Sequence, residues 1–132
     1  MQVLLGLRWD NGRGVIEPYM PKGWRTHPVV LMWRGFEPVL DDYQRAVCAE
    51  WVRRGFRDTC SAKTTGLLLE SGVARSVGAP AWLGHPPLHL SHQSNLVRKD
   101  PAIYAERFPG VPDDLPYVWP VQVGASESAD ST

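Results

Sequence analysis

One helical period constrains this 132-residue chain more than any other sequence feature. Apolar side chains recur at Phe36, Leu40, Tyr43, Val47 and Trp51, at spacings of four, three, four and four residues. Such spacing places the five side chains on one face of an α-helix. We therefore expect a long helix whose apolar face packs against the rest of the protein.

The two ends of this helix are also marked in the sequence. Pro38 suits the first helical turn, because the missing N–H of proline has no helical partner there anyway. Gly55 suits the left-handed C-terminal cap. We predict a helix from about residue 37 to residue 54, and we expect Trp51, like Trp33, to lie in the core.

The rest of the chain is predicted to be helices joined by long loops. The apolar residues Val3, Leu4, Leu7 and Trp9 indicate the last turns of an amphipathic helix, followed by a turn-rich loop from Asp10 to about Pro21. Further helices are predicted at 29–33, at 61–71 with an interruption at Gly66, at about 88–98, and after the Asp100-Pro101 start signal. No strand pattern is convincing, so the predicted fold is mainly α.

We expect a compact single-domain helical bundle with long loops, a domain over residues 1–120 and a disordered polar tail over residues 121–132. The formal net charge is zero, which excludes the strongly basic signature of many nucleic-acid-binding proteins. The charge is unevenly distributed, because residues 1–99 carry 13 basic and 8 acidic side chains, whereas residues 100–132 carry 1 and 6.

Several sequence features predict the compartment of the protein. No apolar run approaches the roughly 20 residues that cross a bilayer, and no signal peptide is recognisable. We therefore predict a cytoplasmic protein that does not bind membranes. Cys48 and Cys60 are expected to be free thiols in that compartment, and they form no C-x-x-C pair that would indicate a zinc site.

Three groups of basic residues are candidates for phosphate binding, since lysine and arginine neutralise phosphates and aromatic rings stack on unpaired bases. The first surrounds Trp24-Arg25-Thr26-His27, with Lys22 and Arg34 nearby. The others, Arg53-Arg54-Gly55-Phe56-Arg57 and Arg98-Lys99, lie at predicted helix ends, where the helix dipole favours cations in any case. Lys63 could join the same surface.

Histidines at 85, 89 and 92 have a spacing that could suit a metal ion on one helical face. Pro86 and Pro87 place His85 at or before the helix start, and no carboxylate nearby completes a metalloprotease motif. The alternative is a polar helix end with partly exposed histidines, and we predict no metal site and no cofactor.

The acidic pairs Asp41-Asp42 and Asp113-Asp114 are expected to be solvated rather than catalytic. No Ser-His-Asp order, phosphate-binding glycine loop or spaced pair of carboxylates is present. Trp119 lies in an extended Pro-rich stretch, and we expect it to hold the end of the chain against the body of the protein.

Several longer strings occur in a fixed order along the chain. They are Gly23-Trp24-Arg25-Thr26-His27-Pro28, Met32-Trp33-Arg34-Gly35, Cys48-Ala49-Glu50-Trp51-Val52-Arg53-Arg54-Gly55-Phe56-Arg57-Asp58-Thr59, His89-Leu90-Ser91-His92-Gln93-Ser94-Asn95-Leu96-Val97-Arg98-Lys99-Asp100-Pro101 and Asp113-Asp114-Leu115-Pro116-Tyr117-Val118-Trp119-Pro120. This succession resembles the bacterial branch of the pyrimidine-dimer DNA glycosylase family, the phage-type endonuclease V, over most of residues 1–120.

The resemblance implies a helical DNA-repair protein that binds damaged duplex DNA, kinks it and displaces a base. In the family, an amine at the mature N-terminus forms a Schiff base with the sugar, and a glutamate on the first long helix assists. An α-amino group, with a pKa of about 7.7–8.0, is more readily un-ionised near neutral pH than a lysine. The residues expected to face DNA are Trp24, Arg25, His27, Arg53, Arg54 and Lys99, with Lys22 and Arg34 secondary.

The departures from the family are as informative as the match. No residue of this chain corresponds to the nucleophile or to the glutamate, and the acidic C-terminal part opposes phosphate binding. We expect a late start assignment, a truncated remnant or, least favoured, an amine supplied by Met1. The predicted activity is weak DNA binding by a catalytically incomplete protein.

Two alternatives remain at this stage. One is a non-enzymatic helical interaction module that self-associates through an exposed apolar face of Val3, Leu4, Leu7 and Trp9. The other is a small metal-dependent hydrolase built on the three histidines.

Overall fold

The computed structural model describes residues 1–74 and 78–120, which are mainly helical and fall into two compact units that divide after Pro80. The first unit contains α1 (Gln2–Leu5), β1 (Leu7–Asp10), β2 (Val15–Pro18), α2 (Pro28–Trp33), α3 (Glu37–Arg53) and α4 (Ser61–Ser71). The second contains α5 (Pro86–Lys99) and α6 (Pro101–Tyr104). The predicted tail, 121–132, lies outside the described residues. None of the described helices is long and apolar enough to cross a membrane.

A β-hairpin near the N-terminus corrects the prediction that the chain has no strands. Gly6 adopts a left-handed conformation with a φ of 66° and ends α1 after four residues. The chain then forms β1 and pairs antiparallel with β2, with Trp9 opposite Ile16. The side chain of Asp10 accepts hydrogen bonds from the backbone N–H groups of the turn, including that of Gly12 at 2.9 Å. The helix predicted from Val3, Leu4, Leu7 and Trp9 is confirmed only over Gln2–Leu5. Its continuation through Leu7 and Trp9 was wrong, because the turn chemistry after Asp10 supports a hairpin.

The long helix is confirmed as α3, and Gly55 follows it with a φ of 90°. The buried side of α3 is, however, not the apolar face that the periodicity indicated. Its buried residues are Glu37, Pro38 and Asp41, whereas Trp51 is 49% exposed. The prediction that Trp51 lies in the core was therefore wrong, and Trp33 is partly buried.

The carboxylate of Asp41 joins α3 to α4. Asp41 is only 1% exposed, which corrects the expectation that it is solvated, and Asp42 beside it is exposed. The hydroxyl of Thr65 donates to both oxygens of Asp41, at 3.0 and 3.2 Å. A buried carboxylate needs such partners, so this contact fixes the register between the two helices.

The helix α4 runs without a break through Gly66, where the sequence predicted an interruption. A Cβ atom at Gly66 would lie 3.0 Å from Cζ2 of Trp9, so the glycine lets the indole of β1 pack closely against α4. The indole N–H of Trp9 also donates to the backbone oxygen of Lys63 at 2.8 Å. Leu67 and Leu68 complete this small core with Met32.

The start of α4 is stabilised by Asp58. Its side chain accepts hydrogen bonds from the hydroxyl of Ser61 and from the backbone N–H groups of Cys60 (2.8 Å) and Ser61 (3.2 Å). The Ser61 hydroxyl, followed by these N–H groups, lowers the pKa of Asp58 to about 2. Asp58 thus satisfies N–H groups that the helix itself leaves unpaired.

In the second unit, α5 begins at Pro86, two residues earlier than predicted, and its buried polar face holds an extended segment. The hydroxyl of Ser91 accepts from the backbone N–H of Val118 at 3.0 Å, and that of Ser94 accepts from Leu115 at 3.0 Å. The ring of Trp119 meets His92 of α5 edge-on at 5.0 Å. Within this unit, the expectation that Trp119 pins the extended stretch is confirmed.

The short helix α6 is confirmed at the predicted Asp100-Pro101 start. The side chain of Asp100 accepts a hydrogen bond from the backbone N–H of Ile103 at 3.4 Å. The helix ends at Tyr104. The ring of Phe108, which follows the helix, stacks on the ring of Tyr104 with the two centroids 6.2 Å apart.

Candidate nucleic-acid interface

The loop between β2 and α2, residues 19–27, contains three of the predicted DNA-facing residues, Trp24, Arg25 and His27. We call it the Trp24 loop. Trp24 is 65% exposed and adopts a φ of 70°. A bulky residue with a positive φ is an outlier that costs about 1–3 kcal/mol, and such residues cluster at functional sites. The fold thus holds a large aromatic side chain out into solvent at a cost in backbone strain.

His27 ends the Trp24 loop and begins α2. Its Nδ1 accepts a hydrogen bond from the backbone N–H of Val29 at 3.1 Å, so the imidazole caps the helix. Its ring centroid lies 4.8 Å from that of Trp24, with the planes tilted by 42°. Two of the predicted site residues are therefore in contact, and His27 orients the loop while it caps α2.

The cations of the Trp24 loop are free to meet an anion. Within residues 1–74 and 78–120, neither Arg25 nor Lys22 forms an ion pair, and both are exposed. The same is true of Arg34 in that part of the chain, just after α2. Unpaired arginine and lysine side chains bind phosphate without first giving up a protein partner.

A groove of about 560 Å³ runs beside this loop. Its lining residues are Val3, Arg8, Pro18, Tyr19, Met20, Lys22, Gly23 and Trp24. The guanidinium of Arg8 lies over the Tyr19 ring, 5.4 Å from its centroid, and pairs with Glu17 at 2.7 Å. Met20 is 81% exposed. The groove thus combines aromatic, apolar and cationic groups, and sequence reasoning missed Arg8, Tyr19 and Met20 because their grouping depends on the unpredicted hairpin.

The predicted site residues Arg53 and Arg54 have a different environment at the end of α3. Nε of Arg53 lies 2.7 Å from one oxygen of Glu50, and Nε of Arg54 lies 3.0 Å from the other. Arg53 and then Arg54 lower the pKa of Glu50 to about 2. We call these three residues the Glu50 cluster. In it, the carboxylate of Glu50 forms ion pairs with both arginines.

Trp51 and Phe56 form a stacked pair beside the Glu50 cluster. Their ring centroids are 4.1 Å apart and their planes differ by 20°. The indole N–H of Trp51 donates to the backbone oxygen of Arg57 at 3.1 Å, which fixes the ring. Both aromatic side chains are about half exposed. Trp51 belongs to the apolar stripe of α3 that is exposed in the structure, and Phe56 follows the helix.

Lys99 lies in the second unit, near the end of α5. Its Nζ donates to the hydroxyl of Tyr117 at 3.1 Å and lies 5.7 Å from the centroid of the Tyr117 ring. The lysine thus helps to hold the extended segment of that unit. The structure gives it a local role there in addition to its predicted role in DNA binding.

The three histidines of α5 do not converge. Nε2 of His89 accepts from the backbone N–H of Gly84 at 2.8 Å, and Nδ1 of His92 donates to the backbone oxygen of Leu88 at 2.9 Å. Among the described residues, no group of three His, Cys, Asp or Glu side chains could hold a metal ion. The hypothesis of a histidine-based hydrolase is therefore wrong for the described part of the chain.

Comparison with known proteins bears on the segment that holds the Trp24 loop and α3. The family model described as pyrimidine dimer DNA glycosylase matches residues 4–64. Over these residues, slightly less than half of the chain, the sequence is similar to that family. No curated protein and no solved structure matches the chain. The predicted resemblance to the pyrimidine-dimer DNA glycosylase family is thus confirmed over residues 4–64. The bacterial branch and the missing N-terminal segment stay predictions.

The first unit also contains a cavity of about 480 Å³ that sequence reasoning did not find. Its lining residues are Met1, Gln2, Val3, Trp9, Asn11, Gln44, Cys60, Lys63, Thr64 and Leu67. Partial burial lowers the pKa of the amino group at Met1, and the negative charge of Glu37 opposes this shift. Trp9 and Asn11 reach the cavity only because the hairpin folds back onto α4, so no local sequence signal indicated it.

Proposed function

We propose that this chain is a DNA-repair-type protein that binds damaged duplex DNA through the Trp24 loop. The observation that carries the proposal is the exposed indole of Trp24 on a strained backbone. It is next in sequence to Arg25, whose exposed cation forms no ion pair among the residues that the structure describes. Apolar and aromatic side chains inserted into DNA unstack base steps and kink the duplex. Arginine and lysine beside such a wedge neutralise the phosphates that the kink brings near.

The similarity of residues 4–64 to the pyrimidine dimer DNA glycosylase family supports DNA as the ligand. The resemblance assigns no residue of this chain to the amine nucleophile or to the assisting glutamate. We therefore infer that the 132-residue polypeptide binds lesions without excising bases by the family's route. The formal net charge of zero favours weak binding with a modest salt dependence.

Fluorescence anisotropy with labelled oligonucleotides tests this function. The probes are a duplex with one pyrimidine dimer, the same duplex with an abasic site, and the undamaged duplex, each titrated at several salt concentrations. We expect tighter binding to the damaged duplexes, because a disturbed base step costs less to unstack. Equal affinity for all three duplexes, or no binding at low salt, would contradict the proposal. Gel analysis of the same complexes is expected to show no strand cut at the dimer.

Protein association is the second candidate function, and a specific observation favours it. Tyr43, Val47 and Trp51 lie one turn apart on α3 and are 60%, 53% and 49% exposed. A contiguous apolar stripe of this kind marks an interaction surface. The earlier expectation placed this role on Val3, Leu4, Leu7 and Trp9, which are instead partly buried within the first unit.

Measuring the molar mass by size-exclusion chromatography with light scattering at two protein concentrations separates the two functions. Association through α3 predicts a mass that rises with concentration and returns to the monomer value in Val47→Glu. A monomer at both concentrations would exclude self-association through this stripe.

A further inference from the structure

Both cysteines of the chain, Cys48 and Cys60, contact one carboxylate at the junction of α3 and α4. Cys48 lies in the second half of α3, and Cys60 is the residue immediately before α4. The thiol of Cys48 donates a hydrogen bond to the side chain of Asp58. The backbone N–H of Cys60 donates to Oδ1 of the same side chain at 2.8 Å. Asp58 therefore brings together two cysteines that are 12 residues apart in the sequence.

The turn between the two helices is folded back against α3. The ring of Phe56 stacks on that of Trp51, with the two centroids 4.1 Å apart. The indole N–H of Trp51 also donates to the backbone oxygen of Arg57 at 3.1 Å. These contacts hold the start of α4 beside the second half of α3, so the two cysteines are kept close together.

The two thiols differ in their access to solvent. Cys60 is exposed, and its sulfur has a weak contact with the hydroxyl of Thr59 at 4.0 Å. Cys48 is half-buried. Partial burial, followed by the carboxylate of Asp58, raises the pKa of Cys48, and the charge of Cys60 adds to this shift. Since the thiolate is the reactive form, we expect an oxidant to react with Cys60 before Cys48.

We propose that Cys48 and Cys60 form a reversible disulfide in response to hydrogen peroxide, and that this bond fastens α3 to α4. An exposed thiol beside a second cysteine that can resolve its oxidised form is the arrangement found in redox sensors. The bond closes the turn into a loop, which restricts the unfolded chain and thereby stabilises the folded one. This modification does not depend on DNA binding.

The first step oxidises Cys60. Its thiolate attacks one oxygen of the peroxide, the O–O bond breaks, and the departing hydroxide leaves as water with the proton that the thiol gave up. In the second step, the sulfur of Cys48 attacks the sulfenic sulfur of Cys60. The S–O bond breaks, and the hydroxyl group leaves as water with the proton of Cys48. The two thiols together lose two electrons and two protons, and the peroxide is reduced to two molecules of water.

Asp58 is a positioning residue in this scheme. Its carboxylate accepts a hydrogen bond from the Cys48 thiol, and its negative charge disfavours a thiolate there. Cys48 is therefore inert toward the peroxide and reacts with a sulfenic acid placed beside it. Asp58→Asn keeps a side-chain oxygen for the N–H groups at the start of α4 but removes the charge. We expect iodoacetamide to alkylate Cys48 about threefold faster in this variant, with a thermal melt as the check of its fold.

The test treats the reduced 132-residue protein with an equimolar amount of hydrogen peroxide and then alkylates the remaining thiols. Peptide mass spectrometry without reductant is expected to find the peptide of Cys48 linked to that of Cys60 in the monomer, and dithiothreitol is expected to separate them. We expect the oxidised protein to melt about 5 °C above the reduced protein. These measurements use the unmodified sequence, so they do not depend on the folding of a variant.

The matched variants are Cys48→Ser and Cys60→Ser, each of which retains one thiol. In Cys48→Ser the reaction is expected to stop at the sulfenic acid of Cys60, which dimedone traps. In Cys60→Ser the remaining thiol is half-buried beside Asp58, so we expect dimedone labelling to be lower by about tenfold or more.

Three outcomes would overturn the proposal. They are a disulfide that joins two copies of the chain through Cys60, the absence of a linked peptide, and an oxidised protein that melts no higher than the reduced one. Equal dimedone labelling of the two serine variants would contradict the order of the two steps and the role given to Asp58.

Discussion

The Trp24 loop and the end of α3 each have a tryptophan with at least one arginine within a few residues, but their cations have different surroundings. Within the described residues, no ion pair involves Arg25, whereas Arg53 and Arg54 both bind Glu50. The indole of Trp24 projects from a strained loop, and that of Trp51 is fixed by Phe56 and by the Arg57 carbonyl. A basic motif thus predicts phosphate binding only where no acid lies one helical turn away.

Loss of the Trp24 ring is the largest expected effect. Trp24→Ala and Trp24→Gly both remove the indole, and both are expected to weaken binding to an abasic duplex by about tenfold, since aromatic stacking contributes about 1–3 kcal/mol per base. The two variants differ in stability, because glycine adopts a φ of 70° without strain. We expect Trp24→Gly to unfold at the higher temperature of the two, by about 1 kcal/mol in free energy.

The matched control is Trp51→Ala. It removes an exposed indole from α3 and is expected to leave DNA affinity within about twofold. Equal losses of affinity at the two tryptophans, measured by anisotropy, would abolish the distinction between the two regions.

The next largest effect concerns single cations. We expect Arg25→Ala to make the slope of log affinity against log salt shallower by about one, because one phosphate contact is lost. Arg53→Ala is expected to change this slope by less than half as much, since Glu50 already neutralises that guanidinium. Arg25→Lys keeps the charge and should keep the slope. Equal slopes for the two alanine variants would show that the Glu50 ion pairs open freely when DNA binds.

A smaller effect in the opposite direction is expected from Glu50→Gln. The substitution removes the carboxylate that Arg53 and Arg54 share, so we expect DNA affinity to rise by about twofold and the salt slope to steepen. Glu70→Gln is the control, because Glu70 is an exposed acid on α4 that forms no ion pair among the described residues. A similar gain in both variants would indicate a general charge effect rather than release of the arginines.

The same comparison shows how far the sequence could predict this molecule. The helix α3 and its Gly55 cap were predictable because apolar period and end signals agree there. Which side of α3 is buried was not predictable. Asp41 is buried and accepts a hydrogen bond from Thr65 on another helix, whereas Trp51 is exposed. Long-range partners of this kind have no local sequence signal.

The hairpin had a greater consequence for the site. Its strands are only four residues long, so their alternation was too brief to compete with a helical interpretation of Val3, Leu4, Leu7 and Trp9. The groove beside the Trp24 loop and the 480 Å³ cavity both depend on this hairpin. Trp24, Arg25 and His27 could be proposed from their residue types as candidates to face DNA, but the spaces around them could not be predicted.

The smallest expected effect is the pH dependence of the Glu50 cluster. Arg53 and Arg54 lower the pKa of Glu50 to about 2 in the folded protein, whereas a free glutamate in the unfolded chain titrates near about 4.3. An acid whose pKa is lowered by folding stabilises the protein at pH values above its pKa in the unfolded chain. This stabilisation is lost as the pH falls toward its pKa in the folded protein. The melting temperatures of the unmodified protein and Glu50→Gln should therefore differ by a constant amount above about pH 5 and converge toward pH 2. Melting curves that stay parallel throughout this range would show that the two arginines do not hold Glu50, and the contrast with Arg25 would then lose its physical basis.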